Sequence, residues 1–180
     1  MIDEVKILKK MVKSLRDNKK RIESDMGVKL DVSNEGIVKI ESDDGLVIWL
    51  TKKMVLAFSM GFDIETCLRL KDEDYSFELI DVRDYGRDTK KDIIRLKGRV
   101  IGSDGRCKKN LQIRTETMIS VSGKRIGIIG KISDVELCKN TVEMLLNGAK
   151  HSTAFKSLEK AILKRKKAKF MAETQENIYK

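Results

Sequence analysis

The chain has 180 residues, enough for one large or two small domains, and 41% of them are hydrophobic. There is no proline, and only 5% of the residues are aromatic, so glycine and short polar residues are expected at the turns. No signal peptide is recognised at the start. The most apolar window, residues 46–62, is too short and too interrupted by polar residues for a membrane span, which needs roughly 20 apolar residues. The sequence therefore predicts a soluble cytoplasmic protein.

The net charge of +10 is unevenly distributed along the chain. Residues 32–86 carry 6 basic and 12 acidic side chains, whereas residues 87–131 carry 13 basic and 4 acidic ones. A solvated surface usually mixes the two signs, so a segment this basic favours a polyanionic partner, most often nucleic acid. A membrane surface is less well supported, because no apolar face with aromatic residues accompanies the basic segment.

The first half of the chain predicts a helix, a hairpin and a helix. Residues 3–25 show partly helical apolar spacing, and the first few fit a strand equally well. Alternation around residues 28–32 and 38–41 predicts two strands joined by a tight turn. A helix is predicted over 46–60 and a short one over 64–70, followed by an acidic link that we take as a domain boundary.

The second half repeats this order after a clear leading strand at residues 77–82. A basic helix is predicted over 88–97, then a loop with two glycines, a second helix to about residue 114, and a hairpin of 118–122 with 125–130. Ser133 and Glu136 have the spacing of a capping box at the start of the next helix. A last, basic helix begins near Ser152. Two such repeats indicate an α+β fold with sheets facing helices.

The loop Gly102-Ser103-Asp104-Gly105 is the strongest candidate site. Glycine allows a ligand to approach the backbone, and the helix that follows points free N–H groups and its positive dipole end at the loop, which suits phosphate. The surrounding charge comes from Lys97, Arg99, Arg106, Lys108 and Lys109. An apolar groove for bases is expected beside it, formed by Val100, Ile101, Ile119 and Val121, some of which also serve the core. The alternative is a basic helix–turn–helix corner without function.

The loop and four longer stretches of the sequence resemble those of a known family. The stretch from Val100 to Gly105 resembles the GxxG signature of KH domains, and the element order resembles the type I form. Four stretches resemble the archaeal form of the partner-of-Nob-one family of small-subunit assembly proteins: ELIDVRDYG (78–86), KGRVIGSDGRCKKNL (97–111), ISVSGKRIGIIG (119–130) and VEMLLNGAKHSTAFKSLE (142–159).

The resemblance implies two tandem type I KH domains, each a three-stranded sheet packed against helices. Residues 1–71 would form a degenerate domain, since Lys13-Ser14-Leu15-Arg16 replaces its GxxG. Residues 75–170 would form the domain with the loop and a C-terminal basic helix. The implied ligand is single-stranded RNA, the 3′ end of small-subunit ribosomal RNA. The implied partners are the Nob endonuclease, the dimethyladenosine transferase and the alpha subunit of initiation factor two.

No catalytic residues, cofactor or metal site are predicted. The chain has a single histidine, His151, and lacks Walker and GxSxG motifs. Cys67, Cys107 and Cys138 contain no CxxC pair and are expected to be buried, although basic neighbours would lower the pKa of Cys107 if it were accessible. Three alternatives stay open: a KH protein that acts on other RNA, a protein-interaction scaffold that uses the acidic segment, and a protein that binds single-stranded DNA, since a backbone clamp need not contact the 2′-hydroxyl.

Overall fold

The computed structural model describes residues 1–178, without the side chains of residue 173 and residues 175–178. The described strands are Ile2–Lys6 (β1), Lys29–Val32 (β2), Ile37–Glu41 (β3), Tyr75–Asp81 (β4), Met118–Ser122 (β5) and Arg125–Lys131 (β6). The described α-helices are Val12–Met26 (α1), Gly45–Ser59 (α2), Ile64–Leu68 (α3), Lys90–Ile101 (α4), Arg106–Thr115 (α5), Ile132–Leu146 (α6) and His151–Ile178 (α7). None of the described helices is long and apolar enough to cross a membrane.

The six strands form two three-stranded sheets with the same topology, β1-β3-β2 and β4-β6-β5. In each sheet the last strand in sequence lies in the middle, paired with both others. In the first sheet the pairs are antiparallel, with Val5 opposite Val38 and Leu30 opposite Ile40. These four side chains are buried, because alternate residues of a strand point to one face. The predicted α+β class is confirmed, and each half begins with a strand, including the first half, where the sequence left helix or strand open.

The chain divides into two compact units. One comprises residues 1–80 with 119–130 and contains nearly all residues of both sheets. The other comprises, among the described residues, 81–118 with 131–178. The predicted domains, 1–71 and 75–170, follow chain order instead, and they stay a prediction.

The core of the strand-containing unit is built from α1, α2 and the inner faces of the sheets. Leu15 and Ile22 of α1 are fully buried, as is Met54 of α2. Near the second sheet, the rings of Phe62 and Phe77 meet edge to face with 6.3 Å between their centroids. Burying large side chains in this way supplies about 1.5–3 kcal/mol each, the main favourable term of folding.

The helical unit has α6 at its centre, in contact with α4, α5 and α7. The side chains that it buries almost completely include Leu96, Leu111, Leu145 and Leu158. The capping box predicted for the start of α6, with Ser133 and Glu136, is wrong. The helix begins at Ile132 directly after β6, its N-cap is Lys131 without a side-chain bond, and Ser133 lies within the first turn. Because the strand runs into the helix without a loop, Ser133 is not at the position from which it could cap.

Candidate nucleic-acid interface

The two-glycine loop connects α4 to α5 with four residues. The first helix runs to Ile101, longer than predicted, and the amide of Gly102 still bonds the carbonyl of Gly98 at 2.8 Å. Ser103–Gly105 then makes a single 3-10 turn, and α5 begins at Arg106. The chain therefore passes from one helix to the next within one turn, and both helices belong to the same unit.

Gly102 has a conformation and a setting that only glycine fits. Its φ of 73° with ψ of 175° lies in a region that residues with a Cβ essentially never occupy. A Cβ added there would also lie 2.6 Å from the Cβ of Cys107 and 2.8 Å from its amide nitrogen. The loop backbone thus packs directly onto the first turn of α5, which fixes the loop relative to the helix.

The next residues expose the backbone of the loop. Asp104 (φ 52°, ψ 27°) and Gly105 (φ 73°, ψ 9°) are both left-handed, and a Cβ at Gly105 would have nothing within 4 Å. The Asp104 carboxylate points into solvent and lies 3.4 Å from the guanidinium of Arg106. The one acidic side chain of the loop is therefore largely solvated, and a neighbouring cation partly offsets its charge.

The N-terminus of α5 offers hydrogen-bond donors to a ligand. Its N-cap residue is Gly105, and no side chain caps it. The first turn of a helix has N–H groups without intrahelical partners and carries partial positive charge, so it attracts phosphate. Arg106 and Lys109 are exposed, and Lys97 and Lys108 are half-buried. The arrangement can hold an anionic backbone through amides, with lysine and arginine adding charge around it.

Arg99 has a different environment from the other predicted cations. Its Nε donates to the carbonyl of Leu145 at 2.7 Å and its Nη2 to that of Ala149 at 2.5 Å. Its own carbonyl lies 2.8 Å from Nε2 of His151. Arg99 therefore ties the end of α4 to the connection between α6 and α7, and its guanidinium is engaged with carbonyl oxygens.

The four predicted groove residues are placed differently from one another. Val100 is fully buried and Ile119 is 3% exposed, so both are core residues. Ile101 and Val121 are half-buried and retain accessible surface. Val100 and Ile101 belong to α4 beside the loop, while Ile119 and Val121 belong to β5 in the other unit.

The first half of the chain lacks a corresponding loop. Lys13 to Arg16 lies inside the continuous helix α1, where Leu15 is fully buried and Arg16 donates to the carbonyl of Val32 at 2.7 Å. Farther along α1, Lys19 and Arg21 form ion pairs with acidic side chains. A glycine-flanked phosphate clamp is therefore absent from this described region.

The cysteines are buried, as predicted from the sequence. Burial raises the pKa of the Cys107 thiol, so the alternative of a lowered pKa among basic residues is wrong. Burial also raises the pKa of Cys67 to about 12. The described residues contain no cluster of His, Cys, Asp and Glu able to hold a metal ion. What the sequence did not reveal is that Cys107 packs under Gly102, because no residue pattern encodes that contact.

Comparison with known proteins agrees with this geometry. Residues 76–162 match a family model for the second KH domain of PNO1, described as the eukaryotic-type KH domain, type I. A KH domain-containing protein of Methanocaldococcus jannaschii is 38% identical over 156 residues, covering 84% of this chain and 68% of its own length. The pre-rRNA-processing protein PNO1 of Chaetomium thermophilum is 31% identical over 58% of this chain and 41% of its own.

A solved structure shows the same fold. In the crystal structure of the a/eIF2alpha–aDim2p–rRNA complex from Pyrococcus horikoshii, a chain 30% identical to this one superposes with a TM-score of 0.78, covering 89% of this chain and 93% of the other. The sheets, the four-residue loop and these matches define an RNA-binding protein of the type I KH class. The chain belongs to the PNO1/Dim2 family of KH-domain proteins. It spans about two fifths of the length of the C. thermophilum relative.

Proposed function

We propose that this protein binds the 3′ end of small-subunit ribosomal RNA as a single strand, during ribosome biogenesis, at the loop of residues 102–105. The observation that carries the proposal is the backbone of the loop. Gly102 leaves no room for a side chain, Gly105 is open, and the uncapped α5 begins at once. In KH domains such a loop clamps about four nucleotides by their backbone.

The predicted site residues divide into three roles under this proposal. The loop residues Gly102, Ser103, Asp104 and Gly105 hold the phosphates, with Lys97, Arg106, Lys108 and Lys109 as the surrounding cations. Ile101, half-buried beside the loop, offers apolar surface to the bases, and Arg99 and Val100 support the loop from within, because Arg99 is engaged with two carbonyls and Val100 is buried. Val121 and Ile119, in the other unit, stay sequence predictions, Val121 as half-buried apolar surface of β5 and Ile119 as a core residue.

The names of the relatives support a ribosomal target. The P. horikoshii complex contains rRNA together with a/eIF2alpha, and the C. thermophilum relative is named as a pre-rRNA-processing protein. The first of these names makes the alpha subunit of initiation factor two a proposed partner. The Nob endonuclease and the dimethyladenosine transferase are proposed as partners from the family resemblance alone. Under the same proposal the protein acts in the cytoplasm and binds RNA without catalysing a reaction.

The domain organisation under this proposal is tandem. Residues 75–170 form the RNA-binding KH domain, which the family match over 76–162 supports. Residues 1–71 form a degenerate KH-like domain, in which the helix through Lys13 and Arg16 replaces the clamp. That domain positions the RNA-binding domain or contacts a protein. It presents the exposed Trp49, with the Lys53 ammonium 3.8 Å from the centre of the indole ring.

The test is fluorescence anisotropy with two labelled RNAs of equal length and composition. One has the sequence of the small-subunit 3′ end, and the other is a scrambled version of it. Tighter binding of the ribosomal sequence at two salt concentrations is the expected result. Equal affinity for the two RNAs would instead favour a KH protein for other RNA, and undetectable binding of either would favour a protein-interaction scaffold.

A further inference from the structure

One face of the long C-terminal helix α7 is anchored to the rest of the helical unit. Ala154 and Leu158 are buried, and Arg165 donates to the carboxylate of Asp134 at 2.5 Å and to the hydroxyl of Ser133 at 3.1 Å. Asp134 itself is buried, with 9% of its side chain accessible. These interactions fix the rotation of the helix about its axis between residues 154 and 165.

A second set of interactions fixes where the helix begins and how its first turns lie. Glu159 forms an ion pair with Arg114 of α5, and the guanidinium of Arg114 lies 5.6 Å from the ring centre of Phe155. At the start of the helix, His151 lies against the carbonyl of Arg99, three residues before Gly102. The helix therefore starts beside the base of the RNA-binding loop and is held there on two sides.

The face of α7 opposite the buried Ala154 and Leu158 carries a row of lysines. At 3.6 residues per turn, the positions roughly 180° from Leu158 are occupied by Lys156, Lys160 and Lys167, and Lys164 flanks them. All four are exposed, and none forms an ion pair with a described carboxylate. We call Lys156, Lys160 and Lys167 the outward lysine row.

We propose that the outward lysine row of α7 is a second RNA-binding surface, which binds the phosphate backbone of the strand beyond the nucleotides held by the loop. This inference rests on the proposed function, since it extends the same strand from the same site. The row begins close to the base of the loop. It runs for about 16 Å, because Lys167 lies 11 residue steps after Lys156 and each step rises about 1.5 Å.

The chemistry of the row favours the backbone of RNA over its bases. Lysine is a point charge on a flexible stem, so it attracts phosphate without reading sequence. Lys156 and Lys160 lie one helical turn apart, about 6 Å along the axis, which is comparable with the separation of adjacent phosphates on a strand. The contribution is therefore expected to be independent of sequence and strongly dependent on salt.

Exposed apolar residues lie on the same side, namely Leu163 and Met171, which are 58% and 66% exposed. A protein partner would use such residues together with the lysines. The salt dependence of RNA affinity distinguishes a surface that binds RNA from one that binds a protein partner. If a lysine neutralises a phosphate of a single strand, removing that lysine reduces the slope of log K for RNA binding against log salt by about 0.7. If the lysines bind only a protein partner, the slope for RNA binding stays unchanged.

The experiment compares three variants of the full chain by anisotropy across a salt series. The first is Lys156→Gln/Lys160→Gln/Lys167→Gln, in which glutamine keeps a similar helix propensity. The matched control is Lys90→Gln/Lys91→Gln/Lys131→Gln, which removes the same charge at exposed positions outside α7. The third is Gly105→Asp, which tests the loop by itself. Each is measured with a short RNA of about four nucleotides, the length of the clamp, and with a longer RNA that contains it.

The proposal predicts that the row variant reduces the salt slope for the longer RNA by about 2, from three lysines at about 0.7 each, and leaves the short RNA unaffected. An unchanged slope for the longer RNA, or an equal reduction in the matched control, would disprove RNA binding by the outward lysine row and would leave RNA binding at the loop unaffected. If Gly105→Asp binds both RNAs like the wild type, RNA binding at the loop is disproved, and with it the extension of the strand onto the row. Circular dichroism verifies that α7 stays helical in every variant.

Discussion

Gly102 lies against Cys107 so closely that a Cβ at position 102 would be 2.6 Å from the Cβ of the cysteine. The same is not true of Gly105, where a Cβ would have nothing within 4 Å. The two glycines of the loop therefore have different tasks. The first allows the loop to pack on α5, and the second allows a left-handed turn and leaves the backbone accessible.

This difference predicts unequal costs for the same substitution. We expect Gly102→Ala to reduce the free energy of unfolding by about 3 kcal/mol, because it adds steric overlap to a backbone conformation restricted to glycine. We expect Gly105→Ala to cost only about 1–2 kcal/mol, the usual penalty of a left-handed residue with a Cβ. Urea unfolding of both variants measures the difference. Equal costs would show that Cys107 does not restrict the loop.

A second prediction concerns Arg99, whose guanidinium bonds two carbonyls. Arg99→Lys keeps the charge and removes the planar fork, so we expect stability to fall by about 2 kcal/mol, the value of a charged hydrogen bond. A second variant, Arg99→Gln, removes the charge, and the salt dependence of its RNA binding should match that of the wild type, because the guanidinium is engaged with carbonyl oxygens. Urea unfolding of Arg99→Lys and a salt series by anisotropy with Arg99→Gln give the two values. Full stability of Arg99→Lys combined with a smaller salt slope for Arg99→Gln would identify Arg99 as a phosphate ligand instead.

A third prediction concerns Asp63, the N-cap of α3. Its carboxylate accepts from the amide of Thr66 at 2.9 Å and from the hydroxyl of Thr66 at 2.7 Å, and these bonds lower the pKa of Asp63. A lowered pKa in the folded state means that the stabilisation is present above the usual pKa of the group and is lost as the pH falls through the folded one.

We therefore expect Asp63→Ala to cost about 1 kcal/mol at pH 7, the typical value of an N-cap, and less at pH 3. Unfolding in urea at the two pH values tests this, with Asp63→Asn as the control that keeps the cap and removes the titration. A cost that is the same at pH 3 and pH 7 would disprove a contribution from the ionised carboxylate.

A fourth prediction concerns thiol reactivity. Burial raises the pKa of all three cysteines, most strongly that of Cys67, to about 12. Because the thiolate is the reactive form, we expect a thiol reagent at pH 7 to label the native protein slowly and to label three cysteines rapidly in urea. Mass spectrometry counts the labels. Rapid labelling of Cys107 in the native protein would reopen the possibility of a nucleophile next to the loop.

The elements of the fold could be predicted from the sequence because their signals are local. Alternation between Val28 and Val32 predicts a strand, and two glycines three apart in a basic segment predict the loop. The leading strand at Ile2–Lys6 is ambiguous in sequence, since a stretch with few apolar residues fits either period. Pairing with β3, which is distant along the chain, is what makes it a strand.

The parts that could not be predicted depend on residues distant in sequence. Its position beside the loop places Arg99 among the predicted phosphate-binding cations, yet its partners are Leu145 and Ala149, about 50 residues away. The sequence predicts that some of the four groove residues also serve the core, but it does not indicate which; burial places Val100 and Ile119 there. Periodicity identifies which residues share a face, but it does not identify what covers that face.

Under the proposed function, the backbone of the loop at Gly105 binds RNA phosphate. The decisive measurement is the affinity of Gly105→Asp for the ribosomal 3′-end RNA, compared with that of Gly27→Asp. Both glycines are left-handed, with φ of 73° and 65°, and neither has an atom within 4 Å of a new Cβ, so the two substitutions match in strain and charge. The account predicts a loss of at least about tenfold, or 1.4 kcal/mol, for Gly105→Asp alone, because a carboxylate would meet the phosphates. Equal affinity of the two variants would contradict it.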